Sequence, residues 1–399
     1  MHGATVRHGT DMFDLQNDLD DRRASGLLRR RLSAESAQGV RMRYDGRDYL
    51  SFCSNDYLGL ASHPDLQQAA CDAARQWGTG AGASHLLGGH SQVHDELEQA
   101  LADFAGTERA LLFSTGYMAN LGVLAGLVGR GGCIHQDRLN HASLIDGGLL
   151  SRARLQRYPH GDHARARKNL AVNPDARQIL ATDGVFSMDG DVAPLAQLIS
   201  ACRDRDALCY IDDAHGLGVI GPQGRGALEV SGIQPDSDEH RDCVLLMGTL
   251  GKAFGSFGAF VAGSGEWIET LVQQARTYIY TTALPPAQAA VSLASVEIVK
   301  TEHWRREHLA VLIDRFRAGC RERGIELMAS DTPIQPVMVS DNQKALDVAE
   351  HLRRNGLMVF AIRQPTVPAG SERLRITFSA SHAEADVDRL LDGLEQAGL

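Results

Sequence analysis

Five short apolar runs limit how this chain can fold: Ala110–Phe113, Gly132–His135, Gln178–Thr182, Leu208–Ile211 and Val244–Met247. Each is too short for a helix and nearly continuous in hydrophobicity, as in strands buried on both faces. Helical stretches alternate with them. That predicts an α/β fold, a mostly parallel central sheet with helices on both faces. Ala259–Ala262 follows the last run as a hairpin-like return. In open parallel sheets ligands bind beyond the carboxyl ends of the strands. Polar residues gather there in this sequence: Ser114, His141, Asp183, Ser187, Asp212, His215, Thr249 and Lys252. Loop starts are polar anyway, so one or two mean little, but a whole set at one sheet edge favours a site.

Lys252 stands out among them. The only other lysines are Lys168, Lys300 and Lys344, each in a polar stretch that reads as solvated surface. Lys252 instead follows Val244–Met247 and sits among Gly248, Gly251, Gly255 and Gly258. Burial disfavours the ammonium form, so a lysine in such a turn can be held neutral and form a Schiff base. A phosphate loop is excluded: it needs glycine where Leu246 stands and Ser or Thr where Ala253 stands. A surface turn with an incidental lysine is the bland reading, and the rest of the chain counts against it.

Around this centre the sequence divides into three. Residues 1–50 read as a polar helical segment to about Gly39, with Leu15, Leu19, Leu27 and Leu28, followed by a strand over Arg47–Phe52. Residues 51–286 read as the large α/β unit. It includes a helix over Leu66–Trp77 and the glycine-rich Gly78–His90, which suits close approach of backbone to a ligand or second subunit. After Pro285-Pro286 the character changes. Residues 287–399 read as a smaller α+β unit: a helical stretch over Ala287–Arg323, strands near Ile325–Met328, Val337–Val339, Met358–Ile362 and Leu374–Phe378, and a last helix from Ser381.

Composition narrows the function classes. The net charge is −10, with no basic block beyond Arg29-Arg30-Arg31, so nucleic acid is not an expected partner. No apolar run is long enough to span a bilayer, and Met1–His8 has no apolar core of the signal-peptide kind. Seven scattered cysteines fit reduced thiols in a cytoplasmic protein. The pairs His90/His94 and His160/His163 have no third ligand at recognisable spacing, so no metal site is expected.

Pyridoxal phosphate accounts for the polar set. It needs a lysine for the Schiff base, a carboxylate to keep the pyridine nitrogen protonated and an anion cradle. Lys252 supplies the first. Asp212 is the candidate for the second, with Asp213 as the alternative, since strand alternation turns one of the pair away. Gly116 and Tyr117, where a strand feeds a helix N-terminus, suit the phosphate, as does Thr249. His215 can bond the phenolic oxygen and His141 can stack on the ring.

Asp212-Asp213-Ala214-His215-Gly216 followed by Gly248-Thr249-Leu250-Gly251-Lys252-Ala253 resembles the α-oxoamine synthases, a family of fold-type I pyridoxal phosphate enzymes. The resemblance extends over Ser54–Gly59, His141–Ser143, Asp183–Gly190, Ala361–Gly370 and Arg373–Thr377; Gln234–His240 departs from it as an acidic surface loop. It implies an acyltransferase on the route to biotin, joining L-alanine to a pimeloyl thioester of coenzyme A or acyl carrier protein with loss of carbon dioxide. It places Ser187 with His141 near the ring and the acyl carbonyl. It points to Arg375, then Arg363, for the amino-acid carboxylate, and to Arg29 and Thr366 as substrate contacts. It also implies a homodimer, with the glycine-rich segment and Thr281-Thr282 contributed across the interface. A sister enzyme using glycine, of the 2-amino-3-oxobutyrate ligase or 5-aminolevulinate synthase type, is the nearest alternative. A catalytically silent relative is the other.

Overall fold

The computed structural model describes residues 14–399 apart from 26, 30, 173, 174, 365, 366 and 369. The chain enters through α1 (Leu15–Ala24), β1 (Arg41–Tyr44) and β2 (Arg47–Ser51), then α2 (Pro64–Trp77) and α3 (Gln92–Ala105). The central stretch runs β3 (Arg109–Phe113), α4 (Gly116–Leu127), β4 (Cys133–Asp137), α5 (Ala142–Leu150), β5 (Arg154–Tyr158) and α6 (His163–Leu170). It continues through β6 (Gln178–Asp183), α7 (Leu195–Arg203), β7 (Leu208–Asp212), α8 (Ala227–Val230), β8 (Val244–Thr249) and β9 (Ala259–Gly263). Then come α9 (Gly265–Gln274), α10 (Arg276–Ile279), α11 (Pro286–Thr301) and α12 (Trp304–Arg323). The chain closes with β10 (Ile334–Met338), α13 (Asn342–Arg354), β11 (Leu357–Met358), β12 (Phe360–Ile362), β13 (Arg373–Thr377) and α14 (Glu384–Gln396).

The expected sheet forms, with seven strands in the order β3-β9-β8-β7-β6-β4-β5. The pairs from β8 to β5 are parallel, and β9 runs antiparallel to both β8 and β3. The inner strands β6, β7 and β8 bury side chains in both directions. Leu246, Ile211 and Leu180 join one apolar cluster, while Leu245, Met247, Tyr210, Ile179 and Ala181 join the other. Period-2 alternation then decides the ends: Asp183, Asp212 and Thr249 lie on the face of the second cluster, which α4 and α5 cover.

Several elements differ from the sequence reading, for identifiable reasons. The N-terminal helix stops at Ala24, and residues 41–51 form an antiparallel hairpin turning at Asp45 and Gly46, whose φ values are 50° and 71°. Asp-Gly is the dipeptide that such a two-residue turn favours. β2 also pairs in parallel with β11, so this hairpin joins a strand from the last third of the chain. β5, Arg-Leu-Gln-Arg-Tyr, is a polar edge strand without the apolar continuity of the inner ones. The helical stretch after Pro286 is two helices, because Glu302 leaves helical geometry with ψ 63°. Around Ile325–Met328 the only pairing among the described residues is a single bridge, Leu327 with Val337. Met358–Ile362 splits into β11, which pairs with β2, and β12, which pairs with β13. The last helix starts at Glu384.

Candidate active site

Beyond the carboxyl ends of β6, β7 and β8 lies a cavity of about 180 Å³. It is lined by Gly116, Tyr117, His141, Ser187, Asp212, His215, Thr249 and Lys252, all expected from sequence. Asn120, Ser143, Asp183, Ala214 and Met247 complete the lining. Grooves of about 730 and 580 Å³ exist elsewhere, but neither is lined by a lysine or by a comparable set of buried donors.

The turn after β8 delivers Lys252. Leu250 N–H donates to Gly258 O at 2.9 Å and Gly255 N–H to Lys252 O at 2.8 Å. Gly255 has φ +60°, and a Cβ there would lie 2.4 Å from the carbonyl carbon of Leu60. Only glycine permits both the left-handed backbone and that approach. Lys252 Nζ lies 2.8 Å from His215 Nε2, and His215 Nδ1 lies 2.6 Å from the Tyr57 hydroxyl. Tyr57 donates to Asn55 Oδ1 at 3.2 Å. Burial, then the Lys252 and Arg375 charges, hold His215 well below the usual histidine range, so it is neutral. A neutral ring accepting from Lys252 at Nε2 must donate from Nδ1, which orders the chain as Lys252, His215, Tyr57, Asn55. Burial brings the Lys252 amine down to about 8, against the pull of Asp212 and Asp183.

Asp212 and Asp213 part company as alternation requires. Asp212 Oδ2 accepts from Asn120 Nδ2 at 2.7 Å, and its Oδ1 accepts from Ala214 N–H at 3.1 Å. Asn120 also receives the Tyr210 hydroxyl and donates to Ser143, both at 2.7 Å, so one α4 amide locks the carboxylate in place. Asp213 points to the other side, accepting Ala227 N–H at 2.7 Å, and burial pushes it up to about 8. Asp183 pairs with Asp212 in register and accepts His141 N–H at 3.0 Å; burial, then the Asp212 charge, raises it well above the carboxylate range.

α4 begins at Gly116, capped by Thr115, whose hydroxyl accepts Met118 N–H at 3.2 Å. Helix geometry leaves the amides of Gly116 and Tyr117 without intrahelical acceptors, and its dipole favours an anion. Arg375 lies beside the cavity, donating to Ser187 O at 2.6 Å and Asn55 Oδ1 at 3.1 Å. The structure does not bring Arg29 or Arg363 to the cavity: Arg29 is exposed in the coil after α1, and Arg363 is half-buried beyond β12. Thr366 lies outside the described residues. Sequence reasoning missed Asn120 and Tyr57 as parts of the site. Asn120 is one turn into a helix, where only the helical period from Gly116 marks it.

Among the described residues two other clusters bring ligand-type atoms within 4.8 Å of one another: His90, Asp95, Glu98 and His160, Asp189, Asp191. His94, singled out beside His90, is occupied at both nitrogens, by Ser91 N–H at 3.0 Å and Leu284 O at 2.7 Å.

The donor set fits pyridoxal phosphate. A buried amine of lowered pKa, a carboxylate fixed by Asn120, and a helix N-terminus open onto one cavity. Comparison with known proteins agrees. A family model described as aminotransferase class I and II matches residues 47–394. The chain is 52% identical to the 8-amino-7-oxononanoate synthase of Saccharophagus degradans over 96% of both chains. It superposes on the serine palmitoyltransferase of S. paucimobilis with a bound pyridoxal phosphate–myriocin adduct, at TM-score 0.90, 31% identity and 98% coverage of both chains. It also superposes on the 8-amino-7-oxononanoate synthase of Francisella tularensis at TM-score 0.76 and 30% identity, over 87% of this chain and 97% of that one.

Proposed function

The chain belongs to the aminotransferase class I and II family, its cofactor is pyridoxal phosphate, and on that premise we propose that it condenses L-alanine with a pimeloyl thioester to give 8-amino-7-oxononanoate, on the route to biotin. One observation carries the reading: Lys252, His215 and Asp212 share one cavity in a chain that matches such synthases over nearly its whole length. Lys252 would hold the cofactor, which when bound would supply an electron sink for charge developing at the amino-acid α-carbon.

The chain's own residues divide the remaining work. Asp212, fixed by Asn120 and Ala214, offers a carboxylate to the pyridine nitrogen. The α4 N-terminus at Gly116 and Tyr117, with Thr249, would hold the phosphate. His141 and Ser187, which line the same cavity, would meet the ring and the acyl carbonyl, as the resemblance implies. The Lys252 amine would take the α-proton of alanine; with a pKa of about 8 it is poised to accept and return a proton near neutral pH. His215 holds that amine at Nε2 and so fixes where the proton is taken from. Overall, the α-carbon loses a proton and its carboxylate, as carbon dioxide, and gains the acyl group. The thiol carrier leaves with a proton, and the α-carbon is reprotonated. Arg375 is the nearer arginine for the substrate carboxylate; Arg363, Arg29 and Thr366 are assigned to substrate by resemblance alone.

The reading includes a cytoplasmic homodimer with a large unit over 51–286 and a smaller one over 287–399. The exposed Leu87 (81%) and Tyr280 (70%) support a covered face, and the glycine-rich segment pairs with the 281–283 stretch through Ser84 with Thr282 and Ala83 with Ala283. Among the described residues no helix is long and apolar enough to cross a membrane. Coenzyme A and acyl carrier protein both suit the reading as thiol carriers. The test is turnover by the holoenzyme with L-alanine and either pimeloyl thioester, read as carbon dioxide release and product mass. Product with alanine supports the reading. Product with glycine and another acyl-CoA, but none with alanine, replaces it with a sister enzyme. No product with any pair leaves a binding protein.

A further inference from the structure

We propose that His160 is a positioning residue: clamped between Asp137 and Asp191, it sets the spacing of the two turns that carry His141 and Ser187, and so the opening through which the acyl thioester enters. The inference rests on the functional reading above.

His160 lies just after β5 and does not line the cavity. Its Nδ1 is 3.1 Å from Asp137 Oδ1 and its Nε2 is 3.0 Å from Asp191 Oδ2. A carboxylate accepts only, so both ring nitrogens donate and the ring is an imidazolium. The two carboxylate hydrogen bonds raise His160 to about 10, outweighing its partial burial. Its ring stands edge-on to Phe186, with centroids 4.4 Å apart.

These contacts reach two turns. Asp137 is buried at the end of β4 and also accepts Leu139 N–H at 2.8 Å and Gly161 N–H at 2.9 Å, tying His160 to the stretch that leads to His141. Phe186 and Asp191 close the other turn, with Phe186 N–H donating to Asp191 O at 3.0 Å and Gly190 N–H to Phe186 O at 2.8 Å. Ser187 lies inside that turn. From its far side the same turn is braced by β13, where Arg373 pairs with Asp189 and Arg375 holds Ser187 O. His160 is the brace on the near side. The cluster is not a free metal site, since Arg373 already engages Asp189 and both nitrogens of His160 are used.

The test compares wild-type, His160→Gln and Asp191→Asn holoenzymes. The expected result is a rise of about tenfold in KM for the thioester, with kcat changed less than about threefold. Alanine affinity and the cofactor's absorbance stay the same. The double variant should cost less than the product of the two singles, because both remove one clamp. Amide hydrogen exchange needs no turnover: residues 138–143 and 184–192 should exchange faster in His160→Gln, while residues 244–252 keep wild-type protection. Unchanged exchange in those two segments overturns the proposal. So does a loss spread over all segments together with cofactor loss, which would make His160 a general stabiliser. If wild-type protein fails to turn over alanine and the thioester while the two segments still loosen selectively, the functional reading fails and the clamp stands.

Discussion

The carboxyl edge of the central sheet and the seam between α12 and α14 both gather titratable side chains, to opposite ends. At the seam the ion pairs have the better geometry. Arg315 meets Asp388 through two nitrogens at 2.7 Å each and Glu384 at 2.8 Å, while Arg323 meets Asp392 at 3.1 Å and Glu395 at 3.3 Å. Yet those side chains are open to water, which screens them. At the sheet edge, Lys252, His215 and Asp183 are withdrawn from water, and burial is the first cause of every shift they show. Ideal geometry in solvent stiffens a surface; constrained geometry out of solvent changes protonation. The difference places the chemistry.

The sharpest way to break the contrast is to remove the buried amine. Lys252→Ala should cut turnover by about 10⁴-fold or more and release the cofactor's lysine-bound absorbance, while Lys300→Ala, an exposed residue paired with Glu297, should leave both intact. Asp212→Asn keeps the shape and removes the charge. It should lower kcat by about 10²–10³-fold with alanine affinity less affected, as single-turnover kinetics would separate. A pH series sharpens the comparison further. Burial lowers the Lys252 pKa, so its reactive free amine accumulates above about 8. Capture of pyridoxal phosphate by apoprotein should accelerate through that pH and then level off. A capture rate still climbing toward the ordinary lysine value of about 10.4 would mean the amine is solvated. The smallest effect belongs to the seam: Arg315→Ala should leave turnover unchanged and move Tm by less than about 2 °C.

What the sequence disclosed follows the same division. The inner strands were legible because burial on both faces leaves an apolar run, and the residues just beyond β4, β6, β7 and β8 were legible because these parallel runs end at the ligand edge. Lys252, His215, Asp212 and Thr249 were all found that way, and alternation separated Asp212 from Asp213. Partners across the chain left no local signal. Tyr57 lies 158 residues from His215, and Asn120 lies 92 from Asp212. β5 carries no apolar run because an edge strand can be polar, whereas the hairpin at Asp45-Gly46 does carry its turn chemistry in the sequence. The split of Met358–Ile362 between two sheets depends on β2 and β13, each far away in sequence.

The most direct test is to reduce the holoenzyme with borohydride, digest it and map the phosphopyridoxyl mass. The expected label is on the peptide carrying Lys252, with none on those carrying Lys168, Lys300 or Lys344. A label on another lysine, or none after saturation with pyridoxal phosphate, would contradict the assignment of Lys252 as the residue around which the site is built.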